Sequence, residues 1–159
     1  MTETLPRRAG PPPRTYHGPP HTQLDQQPDA RIRAQLGRRF GGFPGVAEQP
    51  TGVRVVPGAR ALCLCPDVEA GPPEAFITGR EFAHLHALPD SSLHLVLPEL
   101  LATEAIDAGW GELHPLAGDA VPATTVLVYA PRDPEEIDVV LGLVRRSYEN
   151  ARKTMSGRL

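Results

Sequence analysis

A chain of 159 residues, 40% hydrophobic and 22% charged, is one ordinary domain that can bury a core without disulfides or structural metals. No run of about 18 apolar residues occurs, and the opening MTETLPRRAGPPPRTYHGPP lacks an apolar signal-peptide stretch; a spanning helix is therefore excluded and a cytoplasmic location expected. The net charge of −3 is split: residues 1–60 hold nine Arg against four acids, and residues 61–159 hold seven basic against fifteen acidic residues, which disfavours a broad nucleic-acid surface.

Residues 1–24 read as an extended, proline-rich arm, with Pro11-Pro12-Pro13 and Gly18-Pro19-Pro20 favouring polyproline geometry. Residues 25–155 form a single α+β domain, followed by a tail at 156–159. A helix is predicted over 25–39, with Ile32, Leu36 and Phe40 as its apolar stripe and Gly41-Gly42 as its stop. Short strands follow at 53–56 and 61–65, around Pro57-Gly58. Two more are predicted at 75–87 and 93–97, around Pro89-Asp90-Ser91. Pro98 opens a second helix that Gly109 ends, and strands follow at 110–116 and 124–129. Asp133-Pro134-Glu135-Glu136 is a capping-box start for the last helix. Hairpins dominate this order. It indicates an antiparallel sheet of about six strands with three helices mainly on one face. Cys63 and Cys65 read as small buried side chains rather than a bridge.

The hairpin at 80–97 carries the chemistry. Leu93, Leu95 and Leu97 share one face of their strand, as do Ala83, Leu85 and Ala87 on the preceding one. Turning the leucines to the core sends Arg80, Phe82, His84, His86 and His94 outward. With a tight turn, Leu85 pairs with Leu95, His86 faces His94, and His84 faces Val96. Three imidazoles on adjacent strands suit one transition metal, zinc, copper or iron, with His114 as a fourth ligand candidate. The competing reading is a set of solvated histidines on an outer face.

Other residues are candidates around the hairpin. Glu81 and Glu112 are proton-transfer groups, and Arg80 is a clamp for an acidic substrate. Phe82, Trp110, Tyr129, Arg132 and His21 are substrate-binding candidates, with His21 and Gln23 folding over from the arm. Neither a phosphate loop nor a dinucleotide fingerprint occurs, so no nucleotide cofactor is expected.

FITGREFAHLHALPDSSLHLVLP at 76–98, GWGELHPLA at 109–117, YAPRD at 129–133, Ser147-Tyr148 and PHTQLDQ at 20–26 together resemble the bacterial and fungal "luciferase domain" family over nearly the whole chain. The resemblance implies an oxygen-using oxidoreductase, though fold alone does not fix function. The hairpin, the Leu-Pro helix start and the terminal helix ending in Ser-Tyr are also similar to the MmcQ/YjbR-type proteins. That likeness implies a CyaY-like α+β fold and brings a DNA-binding role, which the acidic C-terminal two-thirds opposes.

Three functions follow. The first is a small-molecule enzyme, a metal-dependent oxidoreductase at His84, His86 and His94. The second is a metal-free enzyme with one of these histidines as general base. The third is a non-catalytic module that binds nucleic acid or protein through Arg31, Arg33, Arg38 and Arg39. A small-molecule partner is expected, nucleic acid and membrane are not, and a homodimer is left open.

Overall fold

The computed structural model describes residues 4–153; the tail expected at 156–159 lies outside them. The chain runs β1 (Thr15–Tyr16), β2 (Thr22–Gln23), α1 (Ala30–Arg39), β3 (Val46–Pro50), β4 (Arg60–Leu64), β5 (Glu81–Leu85), β6 (Leu93–Val96), α2 (Glu99–Asp107), β7 (Gly111–Leu113), β8 (Thr125–Val128) and α3 (Pro134–Arg152). The helix starts follow capping chemistry. The Asp133 carboxylate accepts from Glu136 N at 2.8 Å, with Pro134 in the first turn, as the sequence indicates. α1 starts at Ala30 rather than at 25, because Asp29 is the cap, accepting from Ile32 N at 2.9 Å. Pro28 stays outside the helix. Behind α2, Gly109 turns the chain at φ 90, a left-handed conformation that suits glycine.

The main sheet has six strands in the order β3-β4-β5-β6-β8-β7, antiparallel at every pair. One cluster of buried side chains joins all three helices to it: Leu36 from α1 and Phe40 at its C-cap, Leu101 and Ala105 from α2, Val140 and Val144 from α3, packed with Leu62, Leu85, Leu93, Leu95 and Val126. Burying such side chains contributes about 1.5–3 kcal/mol each. The expected architecture therefore holds at the level of an α+β fold with about six antiparallel strands and three helices.

Several strand expectations are corrected. The edge strand is β3, not 53–56. It carries Glu48 and Gln49 and is largely exposed, so no apolar alternation marks it, and Pro50 is tolerated where one side has no partner. Residues 53–56 form a loop instead. The strand expected at 75–87 is a 3-10 turn at Pro73–Ala75 followed by β5 alone. In the hairpin, Leu85 pairs with Leu93 and His84 with His94, two residues from the expected register. The Asp90 carboxylate accepts from Ser92 N at 2.8 Å, and Ser91 takes φ 65, which places the turn earlier. The parity of the faces is as the leucines dictate.

The face opposite the helices is not open. The arm crosses it: β1 pairs with β2, Thr15 Oγ1 donates to Glu112 at 2.9 Å, and the Gln23 carboxamide oxygen accepts from Ala130 N at 2.9 Å. Earlier in the arm, Trp110 Nε1 donates to Pro6 O at 2.6 Å and Arg8 N to Ala108 O at 2.9 Å. The proline-rich arm thus wraps the domain. Among the described residues, no helix is long and apolar enough to cross a membrane.

Candidate metal centre and cavity

A β-bulge decides which side chains reach the histidines. Leu62 pairs with Ala83, but Cys63 pairs with Glu81, so Phe82 is an extra residue in β5 and the alternation slips there. Phe82 turns into the core, and Glu81 joins the histidine face, where its carboxylate lies 2.7 Å from His84 Nδ1. The strict alternation read from the sequence placed Phe82 and Arg80 on that face; both are elsewhere. The Arg80 guanidinium donates to the carbonyls of Leu64 at 3.1 Å, Cys65 at 2.8 Å and Val68. It staples a loop at the base of the sheet.

His84, His86 and His94 come together, with ring centroids 4.7–5.2 Å apart. All three are at most 3% exposed, so the outward face is buried beneath the arm and not solvated. Their nitrogens lie within 4.8 Å of one another, close enough for one metal ion; His21, His94 and His114, and His17, His21 and Glu112, form two further such groups among the described residues.

Hydrogen bonds around the first triad orient its rings. His84 Nδ1 donates to Glu81, whose other partners are Thr51 Oγ1 at 2.7 Å and Gly52 N at 3.0 Å. Burial pushes the Glu81 carboxyl up, but these bonds outweigh it and hold the group below its usual value. Glu81 is thus an acceptor, and His84 Nε2 keeps its lone pair. Ser92 spends its hydroxyl proton on Asp90. Its oxygen, 3.0 Å from His86 Nδ1, therefore accepts, which makes Nδ1 the donating nitrogen and leaves Nε2 as the other. That nitrogen is buried with no hydrogen-bond partner, an arrangement that costs free energy unless something meets it.

The third ring is held from the arm. His21 Nε2 lies 2.7 Å from Glu112 Oε2, and His21 Nδ1 lies 3.0 Å from His94 Nε2. Glu112 also accepts from Tyr129 OH at 2.9 Å. Burial raises the Glu112 carboxyl, yet bonds from His21, Thr15 and Tyr129 hold it below its usual value. Burial and the neighbouring carboxylate push the Tyr129 phenol up, so it stays a donor. The tautomer in which His21 Nε2 donates to Glu112 and His21 Nδ1 accepts from His94 Nε2–H leaves a lone pair on His94 Nδ1. That atom is 3.2 Å from His84 Nε2. Burial, followed by crowding from the other imidazoles, lowers His94 well below its usual value; burial also lowers His84, against the pull of Glu81.

Above the rings lies a cavity of about 480 Å³. His84, His94, His114 and His21 contribute imidazoles to it, Val53, Val55, Ile77 and Val121 contribute apolar walls, and Pro19 and Pro20 belong to the arm. Among the described residues no Arg or Lys lines it, so they supply it no cationic clamp. His114 Nδ1 accepts from Leu116 N at 3.0 Å, which puts the neutral ring's proton on Nε2. Burial and then nearby imidazoles lower His114 to about 4, so it enters neutral solution as a hydrogen-bond donor rather than a lone pair.

The remaining candidates sit apart from the cavity. Trp110 is in the core. Arg132 donates from its guanidinium and its backbone N–H to Glu136 at 2.9 Å and braces the start of α3. In α1, Arg39 pairs with Asp138 at 3.1 Å. Sequence reasoning reads Asp90 as a turn residue and does not single out Ser92 or Thr51; all three orient the rings and their carboxylates. An Asp two residues before a Ser in a turn is a common side-chain-to-backbone motif, so no pattern set them apart.

Fold and site together define an α+β domain with buried histidine clusters able to chelate a metal ion. Residues 79–147 match the Luciferase domain family. The chain is 32% identical over 159 residues to a protein named luciferase from Armillaria ostoyae, covering 90% of this chain and 59% of that protein. It is 37% identical over 99 residues to the luciferases of Armillaria gallica and Neonothopanus nambi, covering 56% of this chain and 37% of each. The chain therefore carries a Luciferase-family segment and is homologous to these luciferases. It spans between about a third and three fifths of the length of these curated relatives, which are fungal. No solved structure matches significantly.

Proposed function

We propose that this chain is a small-molecule enzyme, a metal-dependent oxidoreductase whose metal is held by His84 Nε2, His86 Nε2 and His94 Nδ1. The observation that carries this reading is the convergence of three buried imidazoles, one of them with the orphaned His86 Nε2. Each ring is oriented from behind, by Glu81, Ser92 with Asp90, and His21 with Glu112. Carboxylates and hydroxyls behind the ligating histidines are the usual outer support of metal sites. Such an ion, zinc, copper or iron, supplies Lewis acidity or redox chemistry. The name luciferase borne by the relatives supports the oxidoreductase class.

The protein's own contribution is binding and proton placement. The apolar walls accept a largely uncharged molecule and exclude water from the imidazole floor. Through its Nε2–H, His114 points a neutral donor at a substrate oxygen, which makes it a substrate-positioning group rather than a fourth ligand. Glu112 and Glu81 accept protons from the rings. Arg80, Phe82, Trp110 and Arg132 take structural roles in this reading. The MmcQ/YjbR-type, CyaY-like likeness belongs to it as a fold analogy only.

Metal analysis of purified and reconstituted protein tests the proposal. One ion per chain is expected, lost in His86→Ala. Absence of any stoichiometric metal, or undiminished binding in His86→Ala, contradicts it.

A second reading is favoured by the chain Glu112–His21–His94, which ends at the cavity floor. In it His94 is a general base oriented by His21, and no metal takes part. That enzyme's turnover survives chelators, whereas the metal enzyme's does not.

A further inference from the structure

Resting on the three-histidine metal reading, we propose that His21 is a positioning residue that couples closure of the N-terminal arm to occupation of the metal site. The argument begins with His94, which is the one ring of the triad without a carboxylate or hydroxyl of its own. His84 has Glu81 and His86 has Ser92, both within the β4–β6 region. The His94 ring instead meets His21, and only through His21 does it reach Glu112. Its outer support is therefore supplied by a different part of the chain, the N-terminal arm.

The direction of the hydrogen bonds makes the coupling specific. A lone pair on His94 Nδ1 requires the proton on Nε2. Nε2–H needs an acceptor, and buried as it is, the ring pays for lacking one. His21 Nδ1 is that acceptor, provided its own proton sits on Nε2, where Glu112 takes it. With the arm lifted, His94 loses the partner that selects this tautomer. The competing tautomer, with the proton on Nδ1, donates directly to His84 Nε2 across 3.2 Å and consumes both lone pairs that the metal needs. Arm closure thus favours the ligating form.

Within residues 15–23 the other attachments lie around the same point, whereas the arm before them is anchored separately through Pro6 and Arg8. Thr15 donates to the same Glu112, and Gln23 spans from Asp90 to Ala130. Pro19 and Pro20 lie at the cavity between them. By linkage, whatever the closed arm adds to metal affinity, the metal returns as protection of the arm. The arm opens to admit ion or substrate and is clamped once the metal is in place. His21 touches neither the metal nor the reacting atoms in this scheme.

The test is a Zn²⁺ titration of the full chain by calorimetry, with amide exchange followed across residues 15–23 with and without Zn²⁺. In the wild type, one Zn²⁺ binds and exchange in the arm slows on binding. His21→Ala still binds one Zn²⁺, but about 10–100-fold more weakly, the usual effect of removing an outer-shell partner, and arm protection no longer responds. His21→Gln offers a carbonyl to His94 Nε2–H and an amide N–H to Glu112, so it restores most of the affinity. Loss of affinity in His21→Ala without recovery in His21→Gln overturns the proposal, as does wild-type arm exchange indifferent to Zn²⁺. Equal Zn²⁺ affinity in wild type and His21→Ala, with binding abolished in His86→Ala, overturns it while leaving the metal site standing. A wild type that binds no Zn²⁺ removes the metal site and, with it, this inference.

Discussion

His84 Nε2 faces His94 Nδ1 at 3.2 Å across the β5–β6 pair, and each ring is held from behind, one by Glu81 and the other by His21. Two lone pairs at that distance repel unless a cation lies between or beside them. On the proposed three-histidine reading, an ion bound here relieves that repulsion and stabilises the folded domain.

Saturating metal should raise the melting temperature. A ligand at a hundred times its dissociation constant stabilises the folded state by about 2.7 kcal/mol, which for a domain of this size is roughly 5–10 °C. Differential scanning calorimetry with and without Zn²⁺, and again after a chelator, reads the shift. An unchanged melting temperature contradicts a native-state metal site.

Glu81→Gln should weaken Zn²⁺ binding by about 10–100-fold. The amide accepts less strongly than a carboxylate and no longer polarises the His84 ring. Glu81 also anchors Thr51 and Gly52, so circular dichroism should accompany the titration to show that the fold persists. Affinity equal to the wild type would remove Glu81 from the outer support.

The metal-free protein should lose stability as pH falls from about 6.5 towards 4. His84 and His94 are lowered by burial, and His114 is lowered from 6.5 to about 4. Between these folded values and the ordinary one, the unfolded chain binds more protons than the folded chain, so stability rises with pH across that window. It is fully present above about 6.5, the unperturbed histidine value. The lowered carboxylates Glu81, Glu112 and Asp90 act at still lower pH, where their protonation removes a further contribution. Thermal melts across this range check the slope, and a midpoint flat from pH 7 to 4 counts against buried neutral rings.

Arg80→Ala separates a staple from a clamp. Loss of its bonds to the carbonyls of Leu64, Cys65 and Val68 should cost about 1–3 kcal/mol, read by urea denaturation. Zn²⁺ affinity should not change. A variant of wild-type stability with impaired ligand binding would return Arg80 to the cavity.

The leucines of β6 and the Asp133 cap of α3 were legible in the sequence, because alternation and capping act over a few residues. They were enough to bring His84, His86 and His94 to one face. Phe82 was misplaced because a bulge depends on how β4 pairs across the sheet, which periodicity along one strand does not record. The hairpin register was off by two residues because Asp90 bonds locally to Ser92 and shifts the turn. The burial of the histidines was missed because it depends on an arm far away in sequence, held by single bonds such as His21 to Glu112 and Gln23 to Ala130. Such long-range cover has no local signature.

The most direct measurement is a crystal structure of Zn²⁺-loaded protein with anomalous data at the zinc edge. A single strong peak is expected among His84, His86 and His94, with His114 outside the ligand set. No peak, or a peak held by His21 and His114 without His84 and His86, contradicts the three-histidine centre.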